Sequence, residues 1–158
     1  MEIELARQAS IDALTNIANR DRFDEYLLRE WQRSEQEKQT ISLILCQIDN
    51  FDAGRKNHEF LIRVALTINN FTKNTACFVG HYRENQFAVI LSDTDIDRVF
   101  SIAQLIQSEF QKLNMPHVIQ FNENLTVSMG IANMIPTKQL GSEELIIAAE
   151  AMLSGIWV

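Results

Sequence analysis

Two strand-like runs separated by a short polar turn restrict the fold of this 158-residue chain more than any other feature. The first run covers residues 76–82 and the second covers residues 87–91, and both are rich in aromatic and branched apolar side chains. The polar residues between them have the length of a β-hairpin connection. The pattern therefore predicts adjacent antiparallel strands joined by a tight turn. Such a turn is often only a connection, and the pattern leaves open whether this one also forms a site.

The rest of the chain alternates between helical and strand patterns. Residues 41–49 form a nearly continuous apolar run typical of a central buried strand, and Gln47 and Asp49 near its end share one side because strand side chains alternate. Apolar residues three and four positions apart predict helices. The predicted helices cover residues 2–10, 21–38, 60–71, 99–110 and 142–154, and further strands cover residues 117–121 and 125–133. This order predicts an α/β (α+β) fold with helices packed on a central, mostly antiparallel sheet.

The composition narrows the class of protein. A formal net charge of -7 argues against partners such as nucleic acid or an anionic membrane, because phosphate-rich surfaces require a basic face. The sequence has no long apolar run and no secretory signal, so we expect a cytoplasmic protein without a membrane segment. Cys46 and Cys77 lie in apolar runs and are expected to be reduced core thiols. No Cys/His spacing indicates a zinc site.

Four segments, taken together and in order, carry a family resemblance. Residues 12–20 resemble the motif D-x-L-T-G-L-x-N-R, and residues 23–31 resemble the helix that follows it. Residues 44–51 are similar to a strand that ends in D-x-D-x-F, and residues 125–132 resemble L-T-x-S-x-G-x-A. Together these segments resemble the GGDEF family, the diguanylate cyclases.

The resemblance implies a fold and a division of the chain. Helices would cover both faces of the sheet, as in the palm of nucleotide cyclases and polymerases, and the hairpin turn would be the active-site edge. Residues 11–158 would form a degenerate GGDEF domain. Residues 1–10 would be an N-terminal helix or the remnant of a linker to a sensory domain, or else a contact between copies.

The hairpin turn departs from the signature G-G-[DE]-E-F that the family carries there. The corresponding residues here are Arg83, Glu84, Asn85, Gln86 and Phe87. Glycine lets the backbone approach a nucleotide closely, whereas the residues at both glycine positions here have long side chains. In the family, the third signature position and the first acid of D-x-D supply carboxylates to the catalytic metals. Here these positions are Asn85 and Gln47, and Asp49 is the acid that remains.

Magnesium prefers anionic oxygen ligands, and two-metal phosphoryl transfer depends on them. The resemblance therefore implies a degenerate site at the vestigial metal positions Gln47, Asp49 and Asn85, with no catalytic residue, no bound metal and no cofactor. We accordingly predict that the chain is not an enzyme.

Other family features are also absent from the sequence. The segment after the D-x-D strand is shorter, and the acid that reads the guanine edge in the family falls near His58. The closing sequence Y-x-A-K-x-x-G-R-N is replaced by residues 154–158. The inhibitory R-x-x-D site would fall at residues 74–77, which lack both charges, so cyclic di-GMP feedback binding is not expected there.

These departures predict an inactive regulatory or protein-interaction module in signalling, with a protein partner or a second copy as its target. The candidate contacts are the altered turn, residues 50–56 and Trp157, although that tryptophan could equally pack on the sheet. The alternative is a nucleotide-sensing domain without turnover. Its nucleotide contacts would be Arg55, Lys56, His58 and Arg83, although charges beside a loop are often merely solvated. A residual diguanylate cyclase is the third hypothesis.

Overall fold

The computed structural model describes residues 17–49, 55–72, 77–113 and 126–153. Its elements in chain order are helix α1 (Arg20–Glu37), strand β1 (Ile41–Asp49), helix α2 (Arg55–Thr72), strand β2 (Cys77–Arg83), strand β3 (Gln86–Ser92), helix α3 (Ile96–Leu113), strand β4 (Thr126–Met134) and helix α4 (Ser142–Leu153). The predicted alternation is confirmed over these residues. The predictions for residues 2–10, 117–121 and 154–158 lie outside the described residues.

The four strands form one sheet in the order β2-β3-β1-β4, and each neighbouring pair is antiparallel. Strand β1 is central, which explains its apolar run: residues 41–46 and 48 are all buried. The predicted fold class is therefore confirmed. The register sets Gln47 opposite Gln86 on β3 and opposite Ser128 on β4.

Helices cover both faces of the sheet, as the family resemblance implied. Alternate side chains of β1 face opposite layers: Ile44, Cys46 and Ile48 pack in one apolar cluster, and Leu43 and Leu45 pack in the other. The first cluster includes buried residues of α2 and α3, whereas the second includes buried residues of α1 and α4. The predicted core position holds for Cys46, which is buried, whereas Cys77 is only half-buried.

Two element boundaries differ from the prediction. The hairpin turn is shorter than expected and consists of Glu84 and Asn85, because Arg83 and Gln86 pair with each other at the ends of β2 and β3. Helix α2 begins at Arg55. Placing that residue and Lys56 in a loop was therefore wrong, because the first turn of α2 is polar and carries no apolar periodicity. No helix in the described ranges is long and apolar enough to cross a membrane.

Candidate functional site at the hairpin turn

Polar side chains from three strands meet at the end of the sheet that carries the hairpin turn. The register sets Gln86 and Ser128 on either side of Gln47. Asp49 follows Gln47 by two positions and therefore lies on the same face of β1. The two vestigial metal positions of β1 are thus brought together, as the sequence predicted, but their neighbours across the sheet are an amide and a hydroxyl.

These four side chains form a continuous chain of hydrogen bonds, which we call the amide ladder (Gln86, Gln47, Asp49 and Ser128). Gln86 Nε2 donates to Gln47 Oε1 at 2.7 Å, and Gln47 Nε2 donates to Asp49 Oδ1 at 3.2 Å. Ser128 Oγ donates to Asp49 Oδ2 at 2.5 Å. Each oxygen of the carboxylate therefore accepts a hydrogen bond from a neighbouring side chain.

Gln86 is the most enclosed member of the amide ladder, with 6% of its surface exposed. Its Nε2 is used in the bond to Gln47, whereas its Oε1 is buried and has no hydrogen-bond partner among the described residues. A buried carboxylate at this position would lack the N–H that Gln47 Oε1 accepts. The neutral amide of Gln86 therefore provides the hydrogen-bond donor that Gln47 Oε1 needs, whereas a carboxylate could not.

Asn85, the third vestigial metal position, is bound to the backbone of β1. Its Nδ2 donates to the carbonyl oxygen of Ile48 at 2.9 Å, and the amide nitrogen of Ile48 donates to the carbonyl oxygen of Asn85 at 2.9 Å. This pair of bonds holds the turn against β1. An aspartate at position 85 could not make the first bond, because an ionised carboxylate has no donor.

The two residues at the glycine positions of the signature, Arg83 and Glu84, are exposed. Arg83 Nη2 lies 3.3 Å from Glu150 Oε1 on α4, and the Tyr82 hydroxyl lies 3.4 Å from the same oxygen. The carbonyl oxygen of Glu84 is 3.2 Å from His81 Nε2. The outer side of the turn therefore presents two charged side chains, of which Arg83 is paired with Glu150 on α4.

The start of α1 also contacts the hairpin, at residues that the sequence prediction missed. Arg20 Nη1 donates to the carbonyl oxygen of Tyr82 at 3.2 Å, and its guanidinium carbon lies 3.9 Å from the centre of the Tyr82 ring. Arg20 is the last residue of the motif at residues 12–20, so the sequence did mark it. Its partner Tyr82 on β2 could not be predicted, because that contact depends on the fold. Ser128 and Glu150 were missed for the same reason.

The remaining predicted contacts have mixed outcomes. Arg55, Lys56 and His58 lie in the first turns of α2, where the structure describes the backbone but not these side chains. Trp157 lies outside the described residues. Phe87, the last signature residue, is fully buried and stacks on His81 with 5.0 Å between ring centres. Within the described ranges, no group of three or more His, Cys, Asp or Glu side chains could hold a metal ion.

A hairpin edge on an antiparallel sheet with helices on both faces defines an α+β domain of the nucleotide-cyclase palm type. The sequence profile described as "Diguanylate cyclase, GGDEF domain" matches residues 9–156. The chain therefore belongs to the GGDEF family.

The chain is similar to solved structures of GGDEF domains and to other proteins. The GGDEF domain of DgcB from Caulobacter crescentus, solved in complex with c-di-GMP, is similar at 26% identity with a TM-score of 0.81, covering 93% of this chain and 89% of that one. The diguanylate cyclase SiaD from Pseudomonas aeruginosa, solved with its activator SiaC, is similar at 18% identity and a TM-score of 0.83, covering 98% of this chain and 60% of that one. An uncharacterised membrane protein of Staphylococcus epidermidis is 22% identical over 148 residues, which span 90% of this chain and 41% of that protein.

Proposed function

We propose that this chain is a GGDEF-family signalling domain that no longer carries out the cyclase reaction and acts as a regulatory or protein-interaction module. The observation that carries the proposal is the amide ladder. Two of its residues, Gln47 and Asp49, stand at vestigial metal positions implied by the family resemblance, and the third such position is Asn85. Gln47 and Asp49 are hydrogen-bonded within the amide ladder without a cation.

The donor set of the amide ladder does not fit the magnesium ions that the family resemblance implies. Magnesium binds carboxylate and carbonyl oxygens in a near-octahedral arrangement. Here Gln47 and Asn85 are neutral, and both use their amide nitrogens as donors toward the site's own acceptors. Both oxygens of Asp49 already accept hydrogen bonds. A cation would meet amide N–H donors beside a single negative charge, so we derive no phosphoryl-transfer step through a metal.

The side chains at the glycine positions support the same proposal. Arg83 and Glu84 extend from the part of the turn that a nucleotide would have to approach closely. Residues 154–158, which replace the closing family motif, contain no lysine or arginine that could meet a triphosphate. The site therefore lacks features for the nucleotide as well as for the metal.

The test of lost catalysis is incubation of the protein with GTP and either Mg²⁺ or Mn²⁺, followed by chromatography of the products. We expect no cyclic di-GMP under conditions in which a GGDEF domain with the intact signature accumulates it. Product formation that rises in proportion to the protein concentration would overturn the proposal.

A protein partner is the proposed target of the module. The solved complex of SiaD with its activator SiaC shows that a GGDEF protein can have such a partner. In this chain the exposed charged pair at the turn, Arg83 and Glu84, is the proposed contact, together with Trp157.

Light scattering coupled to size-exclusion chromatography tests whether the partner is a second copy of this chain. We expect a dimer that Trp157→Ala weakens and that Arg63→Ala, an exposed change on α2, leaves intact. A wild-type monomer at high concentration would rule out homodimerisation.

The nucleotide-sensing alternative is less well supported. Of its four predicted nucleotide contacts, the structure describes the side chain of Arg83 alone, and that side chain lies beside the acid Glu150 on α4. Calorimetry with GTP and Mg²⁺ separates the two proposals. Heat of binding at millimolar ligand would favour nucleotide sensing, whereas the interaction module predicts none.

A further inference from the structure

We propose that the start of α1 acts as a releasable latch on the hairpin, so that the position of α1 controls the signature turn. The latch consists of Ala18, Arg20 and Phe23 on the α1 side and of residues 80–82 on β2. This inference deepens the proposed function by naming how the turn is regulated. The regulatory role of the latch rests on the proposed function. The physical coupling between α1 and the hairpin does not, because it is a property of the fold.

The backbone forms the first part of the latch. Ala18 makes an isolated parallel bridge to Gly80, and its carbonyl oxygen accepts a hydrogen bond from the amide nitrogen of His81 at 2.8 Å. Strand β2 lies at the edge of the described sheet, so this bridge extends the pairing of β2 beyond β3. A Cβ atom at Gly80 would stand 3.1 Å from Phe23 Cβ, so the close approach depends on glycine.

Side chains form the second part. Arg20 Nη1 donates to the carbonyl oxygen of Tyr82, and its guanidinium lies over the Tyr82 ring at 3.9 Å. Phe23 meets the same ring edge to face, with 5.4 Å between ring centres. Tyr82 of β2 therefore makes three contacts with α1: a hydrogen bond to its carbonyl oxygen, a cation–π contact and an aromatic contact with its ring.

The contacts continue from Tyr82 to the turn and to α4. The Tyr82 hydroxyl and Arg83 Nη2 both lie within hydrogen-bond distance of Glu150 Oε1, at 3.4 Å and 3.3 Å. Tyr82 is two residues from the turn residue Glu84. A displacement of α1 at Arg20 would therefore act on the arm of the hairpin that leads directly into the turn.

The polar contacts of the latch are weak enough to open. The side chains of Arg20 and Arg83 are 45% and 58% exposed, so water competes for the bond from Arg20 to the Tyr82 carbonyl and salt screens the pair of Arg83 with Glu150. Phe23 and Tyr82 are nearly fully buried in the core under α1, and they would keep the helix attached when the arginine contacts break. The arrangement thus combines a persistent apolar contact with polar contacts that can release.

Any displacement of the start of α1 acts on Ala18 and Arg20, because these residues make the contacts to β2. Coupling between two sites is reciprocal. Opening at α1 should loosen the turn, and loosening the turn side should loosen the start of α1.

Amide hydrogen exchange followed by NMR tests both directions. In Arg20→Ala we expect the amide of His81 to exchange about threefold to tenfold faster, as the loss of one cation–π contact and one hydrogen bond predicts, with β4 amides unchanged. In Glu150→Gln we expect faster exchange of the amide of Phe23, which donates to Asn19 in the first turn of α1. Arg33→Ala is the matched control, because it removes an arginine that is paired on α1 but away from the hairpin.

Two outcomes overturn the latch: unchanged exchange at His81 in Arg20→Ala, or equal acceleration throughout the sheet. Arg20→Lys keeps the charge but loses the forked guanidinium, and an intermediate rate at His81 is expected. Neither exchange nor stability measurements require a partner or a nucleotide. Formation of cyclic di-GMP would therefore overturn the proposed function but would not affect the latch. Exchange rates that show no coupling would overturn the latch but would not affect the proposed function.

Discussion

Gln47 and Gln86 are complementary only as neutral amides. Each amide supplies an N–H donor to an oxygen acceptor: Gln86 donates to Gln47, and Gln47 donates to Asp49. Carboxylates at both positions would repel each other and Asp49. The neutral amides avoid this repulsion and supply the two N–H donors of the amide ladder.

Gln86→Glu tests this complementarity. We expect the free energy of unfolding to fall by about 1–3 kcal/mol, because the variant removes the donor to Gln47 and buries a second negative charge near Asp49. Urea denaturation at neutral pH measures the loss. Gln32→Glu, the same chemical change at an exposed position of α1, is the control and should alter stability little. Equal stability of both variants would contradict the assigned role of the amide ladder.

Burial of Cys46 makes a separate prediction about pH. Complete burial raises the pKa of the Cys46 thiol from 9.0 to about 12. Between these values the unfolded chain loses a proton that the folded protein keeps, so this thiol makes stability fall as pH rises, by about 1.4 kcal/mol per pH unit. Unfolding of wild type and of Cys46→Ala, compared from pH 8 to pH 10.5, should show a steeper decline for wild type. Parallel curves would refute the assignment.

At the scale of secondary structure, the periodicity of apolar residues predicted most helices and strands, because the apolar positions in these elements are the buried ones. The run of residues 41–49 is buried on both faces, and the spacing of α1 places Phe23, Leu27 and Trp31 in the core. Periodicity failed where an element begins with polar residues, as at Arg55. It also carried no information on how close α4 lies to β4.

Gly130 marks that close approach. A Cβ atom there would clash with the carbonyl oxygen of Ala149, which belongs to the backbone and cannot move without shifting α4. Gly130→Ala should therefore lower the free energy of unfolding by about 1–3 kcal/mol or more, because α4 must shift away from β4. Gly141→Ala is the control, since its Cβ would meet only the movable tip of Glu143. Thermal denaturation of both variants measures the difference. A Gly130→Ala protein as stable as Gly141→Ala would contradict this packing.

For the whole molecule, the residue types of the candidate site could be predicted from the sequence, but their partners could not. The family resemblance located Gln47, Asp49 and Asn85, and strand alternation put the first two on one side. Sequence spacing does not give the register between strands, so Ser128 and the bond from Asn85 to Ile48 became apparent only in the structure. The latch joins residues far apart along the chain, such as Arg20 and Tyr82 at 62 positions, and no local pattern encodes such contacts.

Restoring two acids should rebuild a cation site without restoring the reaction. In the double variant Gln47→Asp/Asn85→Asp, three carboxylates would stand at the hairpin end of the sheet, and the amide donors to Asp49 and to the Ile48 carbonyl would be lost. We expect lower stability than wild type, partly recovered by millimolar Mn²⁺ or Mg²⁺ because a cation that binds only the folded state stabilises it. Wild type should show no such recovery, and neither should Gln32→Glu/Gln104→Glu, which adds two acids on exposed helix positions.

With GTP, the double variant should still form no cyclic di-GMP, because Arg83 and Glu84 remain at the turn and residues 154–158 supply no cation for the phosphates. Thermal shift with and without the metal, and product chromatography, separate the two effects. Cation-dependent stabilisation of wild type as large as that of the double variant would show that the amide ladder already binds metal. Cyclic di-GMP from the double variant would show that acids at these two positions were all that the reaction lacked.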